Sequence, residues 1–165
     1  MSRAFVKEAD DNLPSDELPE RPQSPHPNYV TPKGLAQLHA KVHALQEERE
    51  RLAAEDDPMA RTRVLEVKRD LRYFQTRLER AILVDPADQP KDEVRFGAEV
   101  AIEDGRGERN TYRIVGEDEA DVSAGRISWA SPLGKALIGL RVGDSFSWQR
   151  GASAQDVSVV DVRYA

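Results

Sequence analysis

The chain has no cysteine, three histidines and only 6% aromatic residues among its 165. Without thiols it can form no disulfide, offers no cysteine nucleophile and cannot build a Cys-ligated zinc site, which fits a reducing compartment. His39 and His43 are the only histidines at helical spacing, so a histidine-rich metal site is not expected. No apolar run approaches the ~20 residues of a membrane span. Met1–Asp10 lacks the apolar core and small-residue cleavage site of a secretory signal. Charged residues make up 33% of the chain, so any core is modest and the surface is wet. The net charge of −6 argues against a general nucleic-acid binder, because phosphate affinity comes from concentrated Lys and Arg. The length allows one ordinary domain or two small ones.

What is present is unevenly distributed. Residues 1–30 carry 3 basic and 6 acidic side chains, residues 31–83 carry 11 and 9, and residues 84–165 carry 10 and 15. The middle piece is the basic one, and within it residues 58–83 hold 7 basic against 3 acidic. A local positive field is therefore expected inside an acidic chain.

Residues 1–28 place Pro14, Pro19, Pro22, Pro25 and Pro27 among Asp, Glu and Ser. Such a stretch buries too little to offset its ordering entropy and is expected to be a disordered tail, with Phe5 and Val6 as incidental apolar residues. Residues 29–84 read differently. Thr31-Pro32 is a helix start, with Thr as N-cap and Pro at the first helical position. Leu35, Leu38, Val42, Leu45 and Leu52 follow in heptad rhythm, with Arg49 at the interrupted seam position as a register device. A second stripe runs through Ala60, Val64, Val67, Leu71, Phe74, Leu78 and Ala81. Ala54–Pro58 is too short to do anything but reverse the chain, so the two stripes predict an antiparallel coiled-coil hairpin. Each arm spans about 23–26 residues, roughly 34–39 Å. The basic residues of the second arm, Arg61, Arg63, Lys68, Arg69, Arg72, Arg77 and Arg80, read first as a solvated helix face. Tyr73 and Phe74 read as packing residues.

Residues 85–94 are proline-rich and read as a linker. From residue 95 the period changes to two. Strands are expected at 99–103, 111–115, 126–129, 145–149 and 157–164, with a short helix capped by Ser131-Pro132 and running to Leu140. The expected fold is α+β: a helical hairpin followed by a small antiparallel β domain with one short helix. Trp129 reads as a core residue.

The C-terminal strings carry a resemblance. Tyr112–Asp121, Ile127-Ser128, Ser131-Pro132, Lys135–Gly139 and Val142-Gly143-Asp144 resemble the C-terminal domain of the Gre transcription elongation factor family. The hairpin opening Thr31-Pro32-x-Gly34 fits the same family in the right order. The resemblance covers roughly residues 29–165, and Ser2–Glu8 looks like the opening of some members. It implies an FKBP-like β domain that docks on the rim of the RNA polymerase secondary channel, through the loop of Ser131 and Pro132 and through Lys135. It further implies a hairpin that enters the channel beside the nascent RNA 3′ end. There, acidic tip residues help the polymerase hold a second Mg²⁺ and activate water to cleave backtracked RNA. On this sequence those carboxylates are Asp56 and Asp57, with Glu55, and the basic residues nearest the RNA are Arg61, Arg63 and Lys68. Hard carboxylate oxygens suit Mg²⁺, which binds few protein groups and keeps several waters. The implied protein is a bacterial, cytoplasmic, monomeric accessory factor without a tightly bound cofactor of its own.

Two departures from the family pattern matter. The usual tip has Asp followed three residues later by Glu, whereas Asp57 is followed by Pro58-Met59-Ala60. The stretch Thr31–Asp85 is also shorter than the usual hairpin by about two turns per arm, or ~11 Å of reach. Asp57 before Pro58 is an expected N-cap, and Glu55 and Asp56 sit well near a helix N-terminus, so capping competes with a metal-directed role. Ala130 stands where an acidic or amide residue often precedes the Ser-Pro pair. Other readings remain. One is a non-cleaving channel regulator resembling the regulator of nucleoside diphosphate kinase, which the short hairpin favours. A second is an FKBP-type prolyl isomerase, for which Trp129, Trp148, Phe96, Phe146, Tyr112 and Tyr164 would have to line a pocket. A third is a plain coiled-coil adaptor.

Overall fold

The computed structural model describes residues 18–164; Phe5, Val6 and the stretch Ser2–Glu8 lie outside them. Strand β1 (Asn28–Val30) leads into helix α1 (Pro32–Ala53), a turn, helix α2 (Pro58–Glu79) and strand β2 (Ala81–Leu83). A second unit follows: β3 (Glu99–Asp104), β4 (Arg109–Val115), β5 (Arg126–Ser128), helix α3 (Pro132–Leu137), β6 (Ser145–Arg150) and β7 (Ser153–Arg163). No helix among the described residues is long and apolar enough to cross a membrane.

The hairpin forms because each helix has sharp ends and a narrow apolar stripe. Thr31 Oγ1 accepts from Gly34 N at 3.0 Å and Asp57 Oδ1 from Met59 N at 3.3 Å, each with proline in the first helical turn. Val42, Leu45, Val67 and Leu71 make the buried seam, flanked by Leu52, Phe74 and Leu78. Both arms have 22 residues, roughly 33 Å of rod. The second helix stops before Ala81, which the heptad count had placed in the seam. Residues 81–83 instead pair in parallel with Asn28–Val30, and Val84 N donates to Val30 O at 2.9 Å. The backbone on either side of the hairpin thus closes its base.

That pairing also corrects the reading of residues 18–28 as part of a disordered tail. The segment lies along α2 and is held by charge and shape. Glu20 accepts from Arg72 at 2.6 Å, Gln23 donates to Tyr73 O at 3.2 Å, and the Arg21 guanidinium sits 4.0 Å from the centre of the Tyr73 ring. A proline-rich segment is held here because the hairpin supplies partners that composition cannot reveal.

The β domain is a five-stranded sheet in the order β5-β4-β3-β7-β6, antiparallel except for the β4–β5 pair. Alternation in β3 sends Val100 and Ile102 inward to meet Ile114, Ile127, Leu133, Leu137, Val157 and Val159. The supposed linker is part of this unit: Pro86 and Val94 are buried, and Val94 exchanges backbone hydrogen bonds of 2.8 Å with Leu140 and Gly139. The chain end is pinned to the same place. Tyr164 Oη accepts from Arg95 N at 2.8 Å and donates to Glu93 O.

Burial pushes the Tyr164 phenol up from its ordinary value, with Arg95 opposing. Because the folded state holds the proton more tightly, this contribution is complete below the unfolded tyrosine pKa of about 10 and is lost as pH rises through the folded value. Denaturant midpoints measured against pH should therefore fall more steeply above about pH 10 for the wild type than for Tyr164→Phe.

The hairpin joins the β domain at a single-turn helix, Glu117–Glu119. Arg77, read from sequence as one of a solvated face, is only 2% exposed. It donates to Asp118 Oδ2 at 2.8 Å and to Asn28 Oδ1 at 2.7 Å, while Asn28 returns a 2.6 Å bond to Arg77 O. The β domain covers this last turn of α2, so the guanidinium is buried with its partners.

Candidate functional site: the hairpin tip and the α3 loop

The tip is a four-residue reversal, Ala54–Asp57, between two capped helices. Its three carboxylates have different surroundings. Asp57 caps α2 through Met59 N. Asp56, with a side chain 91% exposed, forms an ion pair with Arg61. Glu55 is exposed. The structure thus brings Glu55, Asp56 and Asp57 together at the far end of the rod, as the sequence predicted. Among the described residues no group of three or more metal-ligating side chains converges to hold an ion. By themselves the tip carboxylates therefore do not make a Mg²⁺ site.

Beside the tip lies a cleft of about 680 Å³, and its lining includes Glu55, Asp56, Arg61, Leu65, Lys68 and Arg72. Arg61 and Lys68 therefore stand with the carboxylates. Arg63 does not line that cleft: it bridges the helices, donating to Glu48 at 2.9 Å and to Glu66 at 2.8 Å. Those hydrogen bonds, to Glu66 first and then to Glu48, push its pKa further up. Arg72 joins the cleft although sequence reasoning gave it no special place. Spacing alone could have found it, since 61, 65, 68 and 72 fall on one helical stripe.

The second expected contact surface is the start of α3. Ser131 Oγ accepts from Gly134 N at 3.1 Å and donates to Ser128 O at 2.6 Å, so its hydroxyl is committed to the cap. Pro132 and Lys135 are exposed, whereas Leu133 and Leu137 anchor the helix in the core. Gly134 is required there, because a Cβ would lie 2.3 Å from Ser128 O. Next to this loop, Tyr29, Val84, Phe96, Trp129 and Ile138 line a cleft of about 370 Å³. Trp129 packs on the β-domain core and meets Tyr29 edge-on at 5.1 Å, but its buried Nε1 has no acceptor among the described residues. Sequence reasoning missed Tyr29 because it arrives from before the hairpin. The aromatic residues a prolyl isomerase would need are divided, with Tyr112 and Trp148 paired in a separate contact.

The structure defines a two-part protein whose charged groups are displayed at the end of a helical rod seated on a small β domain. Comparison with known proteins is consistent along the chain. The family model for the C-terminal domain of the transcription elongation factors GreA/GreB matches residues 89–164. Transcription elongation factor GreB of Neisseria meningitidis is 33% identical over 153 residues, covering 83% of this chain and 94% of that one. GreA of Rhodospirillum rubrum is 35% identical over 151 residues, covering 82% and 96%. GreA of Pelobacter propionicus is 40% identical over a shorter stretch of 95 residues, 57% of this chain and 60% of that protein. A GreA/GreB structure from Nitrosomonas europaea aligns over 83% of this chain and 99% of its own, with 23% identity and a TM-score of 0.43. The chain belongs to the Gre family of transcription elongation factors.

Proposed function

We propose that this protein docks on the rim of the RNA polymerase secondary channel through the α3 loop and inserts its hairpin to regulate elongation. The observation that carries this reading is the placement of Glu55, Asp56 and Asp57 at the end of two packed 22-residue helices. A rod two helices wide enters a pore that a globular domain cannot. Pro132 and Lys135 are the exposed docking groups, Ser131 holds their loop by capping, and the neighbouring Trp129 cleft offers apolar surface. At the tip, Asp56 and Asp57, with Glu55, supply oxygens toward a Mg²⁺ held mainly by the polymerase, which itself would perform any RNA cleavage. Arg61 and Lys68, with Arg63 behind them, face the phosphates of the RNA 3′ end. This assigns the protein to the bacterial cytoplasm as a monomeric accessory factor, with no cofactor of its own.

A second reading, a channel occupant that does not promote cleavage, is favoured by one observation. Asp56 is tied to Arg61 and Asp57 to the cap of α2, leaving Glu55 as the carboxylate without either duty. The test is RNA cleavage in a stalled, backtracked polymerase complex, with wild type beside the Asp56→Ala/Asp57→Ala double variant. Cleavage by wild type that the variant loses supports a metal-assisting tip. Binding without wild-type cleavage supports the channel occupant. Absence of binding to polymerase rejects both.

A further inference from the structure

We propose that three consecutive residues of the β domain, Glu117, Asp118 and Glu119, act with Arg77, Asn28 and Thr31 as an aiming clamp that fixes the angle between hairpin and β domain. They are positioning residues: they touch neither RNA nor metal, and they determine where the tip arrives. Only this consequence rests on the proposed function; the clamp itself is a property of the free protein.

Two separate grips hold the hairpin at its base. Asp118 holds the last turn of α2 through Arg77 Nε at 2.8 Å, and Arg77 is in turn bonded to Asn28. Glu119 holds the first turn of α1. Its carboxylate accepts from Thr31 N and Gly116 N, each at 3.2 Å, and from Thr31 Oγ1, the same hydroxyl that caps Gly34 N. Glu117 closes the set, accepting from Ser24 Oγ at 3.0 Å and standing 3.7 Å from Arg77 Nη2. One single-turn helix therefore holds both arms at their bases. One attachment would leave a pivot, whereas two on different helices resist rotation.

Aromatic contacts across this junction, Tyr29 with Trp129 at 5.1 Å and with Phe96 at 6.0 Å and His26 with Trp129 at 5.6 Å, bury surface but constrain direction weakly. The clamp is directional and lies in low-dielectric surroundings. Arg77 and Glu119 are 2% and 8% exposed, so losing one partner leaves a buried charge unmatched. The rod amplifies any looseness: on a lever of about 33 Å, a 10° tilt carries the tip about 6 Å. A Mg²⁺ ligand must arrive at about 2.0–2.1 Å, so even a tilt of a few degrees takes the tip carboxylates out of range.

The absence of native cysteine makes the test direct. Spin labels at Met59→Cys beside the tip and Ser147→Cys on β6, both exposed positions, report the hairpin angle in the free protein. Wild type should give one narrow distance distribution. Asp118→Asn and Arg77→Met should each broaden it, with helix content retained. If Arg77→Met fails to fold, the nearly isosteric Asp118→Asn decides alone. An unchanged narrow distribution in folded Asp118→Asn overturns the clamp, whatever the protein does on polymerase. In the polymerase complex, the same variant should keep wild-type binding while tip-dependent cleavage falls by about 100-fold for each ångström of misplacement. A broadened distribution with no wild-type cleavage upholds the clamp and removes only the metal-assisting reading of the tip.

Discussion

Gly34→Ala is expected to destabilise the protein by about 2–4 kcal/mol, even though helix propensity alone favours alanine by at most ~1 kcal/mol. Gly34 lies in the first turn of α1, and a Cβ there would fall 2.1 Å from Glu119 Cδ and 2.3 Å from its Oε2. The carboxylate would have to leave a buried site where it accepts from Thr31 N, Thr31 Oγ1 and Gly116 N. Hydrogen bonds to a charged acceptor contribute about 1.5–3 kcal/mol each, and relaxation recovers only part of that loss. Urea unfolding of Gly34→Ala beside Gly34→Ala/Glu119→Ala measures the effect. The second change removes the clashing side chain, so the pair should be strongly non-additive. A Gly34→Ala protein more stable than wild type would show that Glu119 moves aside freely and holds nothing.

Leu71→Ala is expected to cost about 2–5 kcal/mol and to melt the hairpin selectively. Leu71 is 2% exposed in a seam of four buried side chains, and the segment lying along α2 beside it is held mainly by polar and charged contacts. A two-helix rod cannot collapse around the lost volume as a globular core can, and most helical stability comes from packing of the apolar face. The β domain keeps its own core around Val100, Ile102 and Ile114. Heating should therefore reduce the far-ultraviolet helix signal of Leu71→Ala well below the temperature at which the environment of Trp148 changes. A single coincident transition for both signals would mean that hairpin and β domain unfold as one unit. On polymerase, this variant should lose the action of the tip before it loses docking through the α3 loop.

Local periodicity made the hairpin legible, because each helix writes its buried face at intervals of three and four residues and its ends as Thr31-Pro32 and Asp57-Pro58. The tip followed at once, since a reversal between two such helices must carry Glu55, Asp56 and Asp57. The strands of the β domain were legible in the same way, through alternation and turn residues. Ser131 and Pro132 carry their cap in adjacent positions. The Gre resemblance rested on strings of that local kind.

Sequence by itself thus determined the two-part architecture, the acidic tip and the capped α3 loop, all set by interactions within a few residues along the chain. Only the tertiary structure decided how those parts are held. Arg77 looks like any exposed arginine of a basic helix until Asp118, 41 residues away, and Asn28, 49 residues away, close on it. Glu119 looks like a surface carboxylate until Thr31, 88 residues away, covers it. The segment 18–27 looks too poor in apolar residues to fold, yet α2 supplies its partners, and β1 exists only because β2 is beside it. These contacts join residues that share no local pattern, and burial reverses the expectation that charge alone suggests: a buried ion pair is defined by its neighbours in space.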